Sequence, residues 1–416
     1  MWPSAFGRLL VLSVSRNLKV LHIATSLGGG AGIAAGRIHS ALRSSGCESS
    51  FLTLTDPSPE PDPHTIRLQQ RLPRFWERAA LKAGVRLSQA EKAAASRLRL
   101  GLEGISFSTP YADYDLASHS AVQAADIVHL HWTGGILDWP TFFSHVGKPI
   151  VWTLHDMNPM LGGFHYETDA ERSLGGAQEL DRHLRKEKQT ILDGFERLHV
   201  VGASKWITDY SRDSNVLGRF PHSTINYPLD SEAWRPFDRE FARDVFQLPA
   251  EGTLMLTVSE RLDDFRKGPD ILADVAMSFA GRRDVTWAAV GAGRSGSPLM
   301  RHLGVLQDQR TLSLAYSAAD FLVIASRADN LPNVVLESLT VGTPVVALPT
   351  GGLPEMVNSG SNGSLAISAD SRGLAVAMET AMSQSFDRIR IRADASERYS
   401  PGKIASEYMH VYESLL

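Results

Sequence analysis

Residues 327–337 read RADNLPNVVLE, a loop that leaves an apolar run and enters a helix with Pro332 near its start. Asp329 and Glu337 stand eight apart, one on the loop and one inside the helix. Two carboxylates so placed can accept hydrogen bonds from different hydroxyls of one polyol. Around Asn330, Leu331, Pro332 and Asn333, backbone N–H groups at the helix start can meet its phosphate. A strand at 343–347 follows, and then Thr350-Gly351-Gly352-Leu353-Pro354-Glu355 makes a second glycine turn, with Gly351, Gly352 and Glu355 as further candidates. Two adjacent loop-to-helix turns rich in donors point to a nucleotide diphosphate carrying a sugar.

Another glycine cluster, 28–32, follows an apolar run at 18–25 and opens an Ala- and Ile-rich helix. Gly29 and Gly30 let backbone N–H groups approach an anion closely. Gly30-x-Gly32-x-x-Ala35 also fits a relaxed dinucleotide fingerprint, with Asp56 near the end of the next strand. A glycine-rich tight turn without a ligand is the competing reading. Lys267 is expected at a helix start, where a cation opposes the dipole and so favours a bound anion. His129 and His131 alternate about a strand, an arrangement expected to let only one face the cleft, and a core position is favoured for both.

The elements that position these groups alternate between buried strands and helices. Strands are expected at 18–25, 50–55, 126–132, 149–156 and 198–204, and again at 253–260, 285–291, 320–325 and 344–348, with helices at 268–280, 311–319 and 333–342. Near-continuous apolar strands separated by helices imply an α/β fold with parallel sheets covered on both faces. Periodicity breaks at 225–236, where two prolines fall. The expectation is two Rossmann-like domains facing across a cleft. Residues 1–17 form an N-terminal extension, 18–225 an N-terminal domain and 226–400 a C-terminal domain. Residues 401–416 form a C-terminal helix packing back on the N-terminal domain.

Composition narrows the chemistry. The 416 residues carry a net charge of −4, which argues against bulk coating of nucleic acid, and no nucleic-acid motif is present. A single cysteine, Cys47, excludes a disulfide framework and any Cys-based zinc or iron–sulfur site, and suits a reducing compartment. The apolar run 9–14 is too short for a secretory or membrane-spanning segment. A cytoplasmic protein is expected. Between 67 and 99, nine basic residues face two acidic ones, with apolar residues at roughly helical spacing. Such a helix implies either peripheral contact with the inner face of a membrane or a solvated helix face.

In combination these segments resemble family-4 glycosyltransferases, retaining enzymes of GT-B fold, in particular those that assemble bacterial surface polysaccharides. The resemblance is carried by DNLPNVVLES (329–338), GTPVVA (342–347), TGGLPEMV (350–357), LHIATSLGGGAGIAA (21–35), KPIVWTLHDMNPMLGGFHY (148–166), SERLDDFRKGPDIL (259–272) and Tyr316-x-x-Ala319-Asp320. It implies that 18–225 is the acceptor domain and 226–400 the donor domain. It also implies that Glu337 takes the nucleotide ribose hydroxyls and that Asp329 lies near the donor hexose. Arg261 and Lys267 would sit on the diphosphate, with Arg266 a substitute for Arg261. Gly29 and Gly30 would close over the phosphates, and His155 would stand near the reacting centre.

The activity implied is hexosyl transfer from a UDP- or GDP-linked sugar to a glycan or lipid-linked acceptor, with no cofactor. No Asp-x-Asp signature stands at a donor loop, so no metal is expected. Such relatives often have a cysteine after the G-G-x-H-Y segment, and 162–166 run on here without one. The competing readings are a non-catalytic sugar-nucleotide or polysaccharide binding protein, an NAD-dependent oxidoreductase using the Gly30-x-Gly32 turn, and a nucleotide-sugar epimerase.

Overall fold

The computed structural model describes residues 18–57, 62–69 and 88–416. Its strands, in chain order, are β1 (Lys19–Ser26), β2 (Glu48–Thr55), β3 (Thr65–Arg67), β4 (Ile127–Leu130), β5 (Ile150–Leu154), β6 (Leu198–Gly202) and β7 (His222–Thr224) in the first half. The second half holds β8 (Thr253–Arg261), β9 (Val285–Ala292), β10 (Met300–His302), β11 (Phe321–Ile324), β12 (Val345–Ala347) and β13 (Gly363–Leu365). They form two sheets, ordered β3-β2-β1-β4-β5-β6-β7 and β10-β9-β8-β11-β12-β13, with parallel pairing throughout. The nine expected strands are all present. The four additions, β3, β7, β10 and β13, are sheet edges three residues long, too short to show a period of two in sequence.

The strands are buried on both faces because helices cover both. In β4 and β5 every residue is buried. One apolar cluster lines the far side of each sheet, and a third runs between them. That shared cluster joins Val20, Ile38 and Val201 to Leu256, Leu336 and Val345 through Ile225, Tyr227, Leu229 and Trp234 of the linker. The helix Pro401–Glu413 crosses back onto the N-terminal domain. There it packs against the helix Gly29–Ser44, and Tyr412 Oη meets His129 Nδ1 at 2.7 Å.

Of the basic stretch 67–99, Arg67 ends β3, and 70–87 lie outside the described residues. The helix Gln89–Arg99 opens with a capping box in which Ser88 Oγ accepts from the Glu91 amide and Glu91 returns a bond to the Ser88 amide. None of its residues is buried.

Candidate functional site

In the C-terminal sheet the strand order reverses between β8 and β11, which opens a crevice at the strand ends. Thr257, Ser259, Lys267, Ser326, Asp329 and Val334 line it around about 350 Å3 of open space. Lys267 ends a short 3-10 turn, Phe265–Lys267, closed by Gly268 at φ 67°. A Cβ on Gly268 would lie 2.1 Å from the Ala325 carbonyl, so glycine alone lets the turn rest on the end of β11. This brings Lys267 Nζ to 2.5 Å from Asp329 Oδ2, which also accepts from Ser326 Oγ at 3.3 Å.

Gly351 and Gly352 have a related job. A Cβ on either would fall 1.8 Å from the Asp329 carbonyl or 1.9 Å from that of Asn330. The second glycine turn therefore packs directly under the first loop. One helical stretch on, Glu337 is buried, with Oε1 accepting from Arg37 at 2.6 Å and Oε2 from the Tyr316 hydroxyl at 2.9 Å.

The two arginines beside Lys267 differ. Arg261 is 63% exposed and pairs with its neighbour Asp263 at 2.8 Å. Arg266 turns inward, bonded to Asp264 at 2.8 Å with its guanidinium 5.2 Å from the Tyr166 ring centroid.

Facing this crevice, at the ends of β4 and β5, is a second recess of about 270 Å3 walled by Trp132, Thr133, Gly134, His155, Asp156 and Asn158. Asp156 accepts from Trp132 Nε1 at 2.9 Å and the Asn158 amide at 3.0 Å, with His165 Nδ1 at 2.5 Å. Burial pushes the Asp156 carboxyl up, but His165 and then the Asn158 amide outweigh it and hold it below the usual carboxylate range. His165 Nε2 in turn meets Ser108 Oγ at 2.9 Å. The loop that carries these groups is pinned from the helix Gly175–Leu192. Asp181 accepts from the amides of Gly163 (2.7 Å) and Phe164 (3.1 Å). Lys188, fully buried, donates to the carbonyls of Asn158 (2.6 Å) and Leu161 (2.9 Å), and burial pulls its pKa to about 7.

Behind the recess lies a chain of buried imidazoles. Tyr227 Oη meets His155 Nδ1 at 2.7 Å, His155 Nε2 meets His131 Nδ1 at 3.0 Å, and His131 Nε2 meets His22 Nδ1 at 2.8 Å. Burial lowers the pKa of each histidine, to about 4 for His155, so all are neutral at physiological pH. The expectation that alternation lets only one of His129 and His131 face the cleft needs correcting. Residues two apart in a strand share a face. Both project the same way, ring centroids 4.2 Å apart; His131 reaches the recess, and His129 ends on Tyr412 and Thr153.

His22, His129 and His131 are close enough together to share a metal ion. Five of their six ring nitrogens already have partners, and only His22 Nε2 has none. Among the described residues no carboxylate joins the group to offset a dication, and the hydrogen-bonded chain accounts for the cluster better than metal binding does.

The two halves are stitched together through the donor loop. Asn330, buried, donates to the Leu154 (3.0 Å) and His155 (3.3 Å) carbonyls and accepts from Ser204 Oγ at 2.6 Å. Asn333 Nδ2 donates to the Gly30 carbonyl at 2.9 Å. Leu331 belongs to the shared apolar cluster, and Pro332 precedes the helix Asn333–Val341. Gly29 has φ 70° and faces Glu260. Glu355, expected on a donor, points elsewhere: its oxygens accept from the amides of Lys205 (2.7 Å) and Trp206 (2.6 Å), capping an N-terminal-domain helix.

Comparison with known proteins places this geometry. Residues 253–384 match the model for glycosyl transferases group 1. That stretch is a glycosyltransferase group 1 domain. It holds the Lys267–Asp329 pair, Glu337 and both glycine turns of the C-terminal crevice. The chain is 30% identical over 278 residues to D-inositol 3-phosphate glycosyltransferase 2 of Catenulispora acidiphila, covering 61% of each. It is 28% identical over 261 residues to the D-inositol 3-phosphate glycosyltransferase of Mycolicibacterium smegmatis, covering 58% of this chain and 56% of that one. The match thus spans about three-fifths of the length of these curated relatives.

Among solved structures, sucrose-phosphate synthase from Thermosynechococcus elongatus superposes with TM-score 0.64 at 21% identity, covering 96% of this chain and 99% of that one. HepE of Anabaena, solved with UDP and glucose, gives 0.62 at 18%, covering 95% and 100%. Both neighbours extend the group 1 domain's likeness to the entire two-domain GT-B fold.

Sequence reading missed Arg37, Tyr227, His22, Trp132, Asp156 and Lys188, and quoted Tyr316 without a role. For Arg37 a signal existed: it follows Gly30 by seven residues and shares its helix face. For Lys188 none did, since a lysine among the charges of 182–188 reads as solvated.

Proposed function

We propose that the protein is a retaining glycosyltransferase. It moves a hexosyl group from a UDP- or GDP-linked sugar to a hydroxyl of a glycan or lipid-linked acceptor, in cell-surface polysaccharide or glycolipid synthesis. One observation carries this reading: a buried Asp329 paired with the half-buried Lys267, and a buried Glu337, occupy one crevice at the sheet's reversal point, across from His155 and Asp156. The match of residues 253–384 to glycosyl transferases group 1, glycosyltransferases among the relatives, and a fold neighbour solved with UDP-glucose support the donor class.

In this reading Glu337 takes the ribose and Asp329 a hexose hydroxyl, while Lys267 receives the charge that develops on the diphosphate, assisted by inward-facing Arg266. The bond from the anomeric carbon to the phosphate oxygen breaks as the bond to the acceptor oxygen forms on the same face. The acceptor's proton passes to the departing phosphate oxygen, so no enzymic nucleophile is needed. The Trp132–Asp156 recess takes the acceptor, with the indole as a stacking platform and the carboxylate as hydrogen-bond acceptor. His155, neutral and tethered on both nitrogens, presents a polar wall without a charge beside the reacting carbon.

A thermal-shift panel of UDP, GDP, ADP and NAD, followed by turnover with UDP- and GDP-hexoses on lipid-linked glycans and on inositol 3-phosphate, tests this. A ligand at 100 times its Kd adds about 2.7 kcal/mol, enough to see. Stabilisation by NAD alone would favour the oxidoreductase reading. A Cβ on Gly32 would fall 2.4 Å from the Ser26 carbonyl, so glycine there serves the packing of helix on strand, and the Gly30 carbonyl is bonded to Asn333 of the other domain. No described helix is long and apolar enough to cross a membrane. We place membrane contact, if the acceptor is a lipid, on the basic 67–99 stretch; cosedimentation with anionic vesicles tests it, and binding unchanged after its lysines and arginines are neutralised removes it.

A further inference from the structure

Arg37 projects from the N-terminal-domain helix Gly29–Ser44 into the opposite domain. Its guanidinium donates to Glu337 Oε1 at 2.6 Å and to Asn333 Oδ1 at 3.0 Å, and lies 5.5 Å from the ring centroid of Trp234 in the linker. The second oxygen of Glu337 accepts from the Tyr316 hydroxyl at 2.9 Å. Both members of the ion pair are largely buried, with side-chain exposures of 14% and 7%. Burial, then the neighbouring Glu337, raises the Tyr316 pKa, so its hydroxyl remains a donor.

A carboxylate held by one donor on each oxygen can neither rotate nor tilt. Each oxygen has a second lone pair, and together these can accept two parallel hydroxyl donors, the pattern a vicinal diol offers. We propose that Arg37 is a positioning residue for a ribonucleotide donor, acting through Glu337 on the ribose diol rather than touching the sugar itself. The inference rests on the reading of Glu337 as the ribose carboxylate. Glu337 and Tyr316 come from the C-terminal domain and Arg37 from the N-terminal one. The diol site is therefore complete only when the two domains meet, which links donor binding to domain apposition.

Calorimetry with UDP against 2′-deoxy-UDP, and GDP against 2′-deoxy-GDP, reads the effect. In the wild-type chain the preferred ribonucleotide binds about tenfold or more tightly than its deoxy counterpart, the discrimination expected of a charged hydrogen bond. Arg37→Ala brings that ratio below about threefold by weakening the ribonucleotide while the deoxy form moves little, and Arg37→Lys restores part of it. A packing role alone would weaken both nucleotides equally and leave the ratio intact, which overturns the proposal. Tighter ribonucleotide binding in Arg37→Ala would make Arg37 a competitor for the carboxylate, which also overturns it. Glu337→Gln separates the two levels. If it collapses the ratio while Arg37→Ala does not, only the role of Arg37 fails; if it leaves the ratio unchanged, the ribose reading fails first. Should Arg37→Ala not fold, Tyr316→Phe removes the other donor and is judged by the same ratio.

Discussion

The two walls of the cleft handle buried polarity in opposite ways. On the C-terminal wall the groups are charged and paired, Lys267 with Asp329 and Glu337 with Arg37, which reaches across from the N-terminal domain. Much of the N-terminal wall is neutral, a run of imidazoles and hydroxyls from His22 through His131 and His155 to Tyr227. In the proposed reaction, charged pairs suit a surface that takes over the charge of a leaving diphosphate. A neutral hydrogen-bonded chain suits one that must stay rigid beside it without attracting the phosphate. The contrast ties burial to function: desolvation is offset by a partner charge on one side and avoided by neutrality on the other.

Acid should break the contrast most strongly. His155 has a folded pKa of about 4, below the roughly 6.5 of an unfolded histidine. Between those values the unfolded chain takes up a proton that the folded chain refuses, so stability falls as pH drops from about 6.5 to about 4 and is fully present above. His155 alone accounts for about 3 kcal/mol over that window. His22, His129 and His131 shift in the same direction. Amide exchange is expected to show β1, β4 and β5 opening in acid before β8 and β11; simultaneous opening of both sheets would remove the asymmetry.

On the charged wall, Lys267→Ala should cost about 10²–10³ in turnover, the loss typical of one donor to developing charge, with the melting temperature little changed. Wild-type turnover would take Lys267 out of the mechanism. Glu337→Ala should weaken nucleotide binding by about 1–3 kcal/mol, and calorimetry that finds donor affinity unchanged would undo its assignment. Tyr412→Phe, which removes one hydroxyl from the neutral network at His129, should lower stability by about 1 kcal/mol and leave donor affinity alone. At the small end, a chelator is expected to leave turnover as it was, and activity restored by one added divalent ion would refute the metal-free reading.

The C-terminal wall was readable because its chemistry is contiguous. Asp329 to Glu337 and the glycine turn at 350–355 each fall within one loop and the helix it enters, so spacing carries the geometry. The N-terminal wall was mostly not. Asp156 and His155 sit at the end of an apolar run whose pattern reads as a strand, so that His155 had a role only through the resemblance, and Trp132, His165 and Ser108 join them from other segments. Glu355 shows the limit from the other side: a carboxylate that ends a donor-rich turn reads as a ligand group or a local cap, yet it caps a helix of the other domain.

By itself the amino-acid order determined the alternation of strands and helices, the two-domain architecture and the loops where glycine is obligatory, because each follows from local periodicity and sterics. Which strands neighbour which, and therefore which histidines form a chain, was decided by the register of β1, β4 and β5. Likewise, only the apposition of two domains through a shared core placed Arg37 on Glu337 and Asn330 on the end of β5. Contacts of that kind join residues some 300 and 176 positions apart. No local rule encodes them; they exist only once burial has brought the surfaces together.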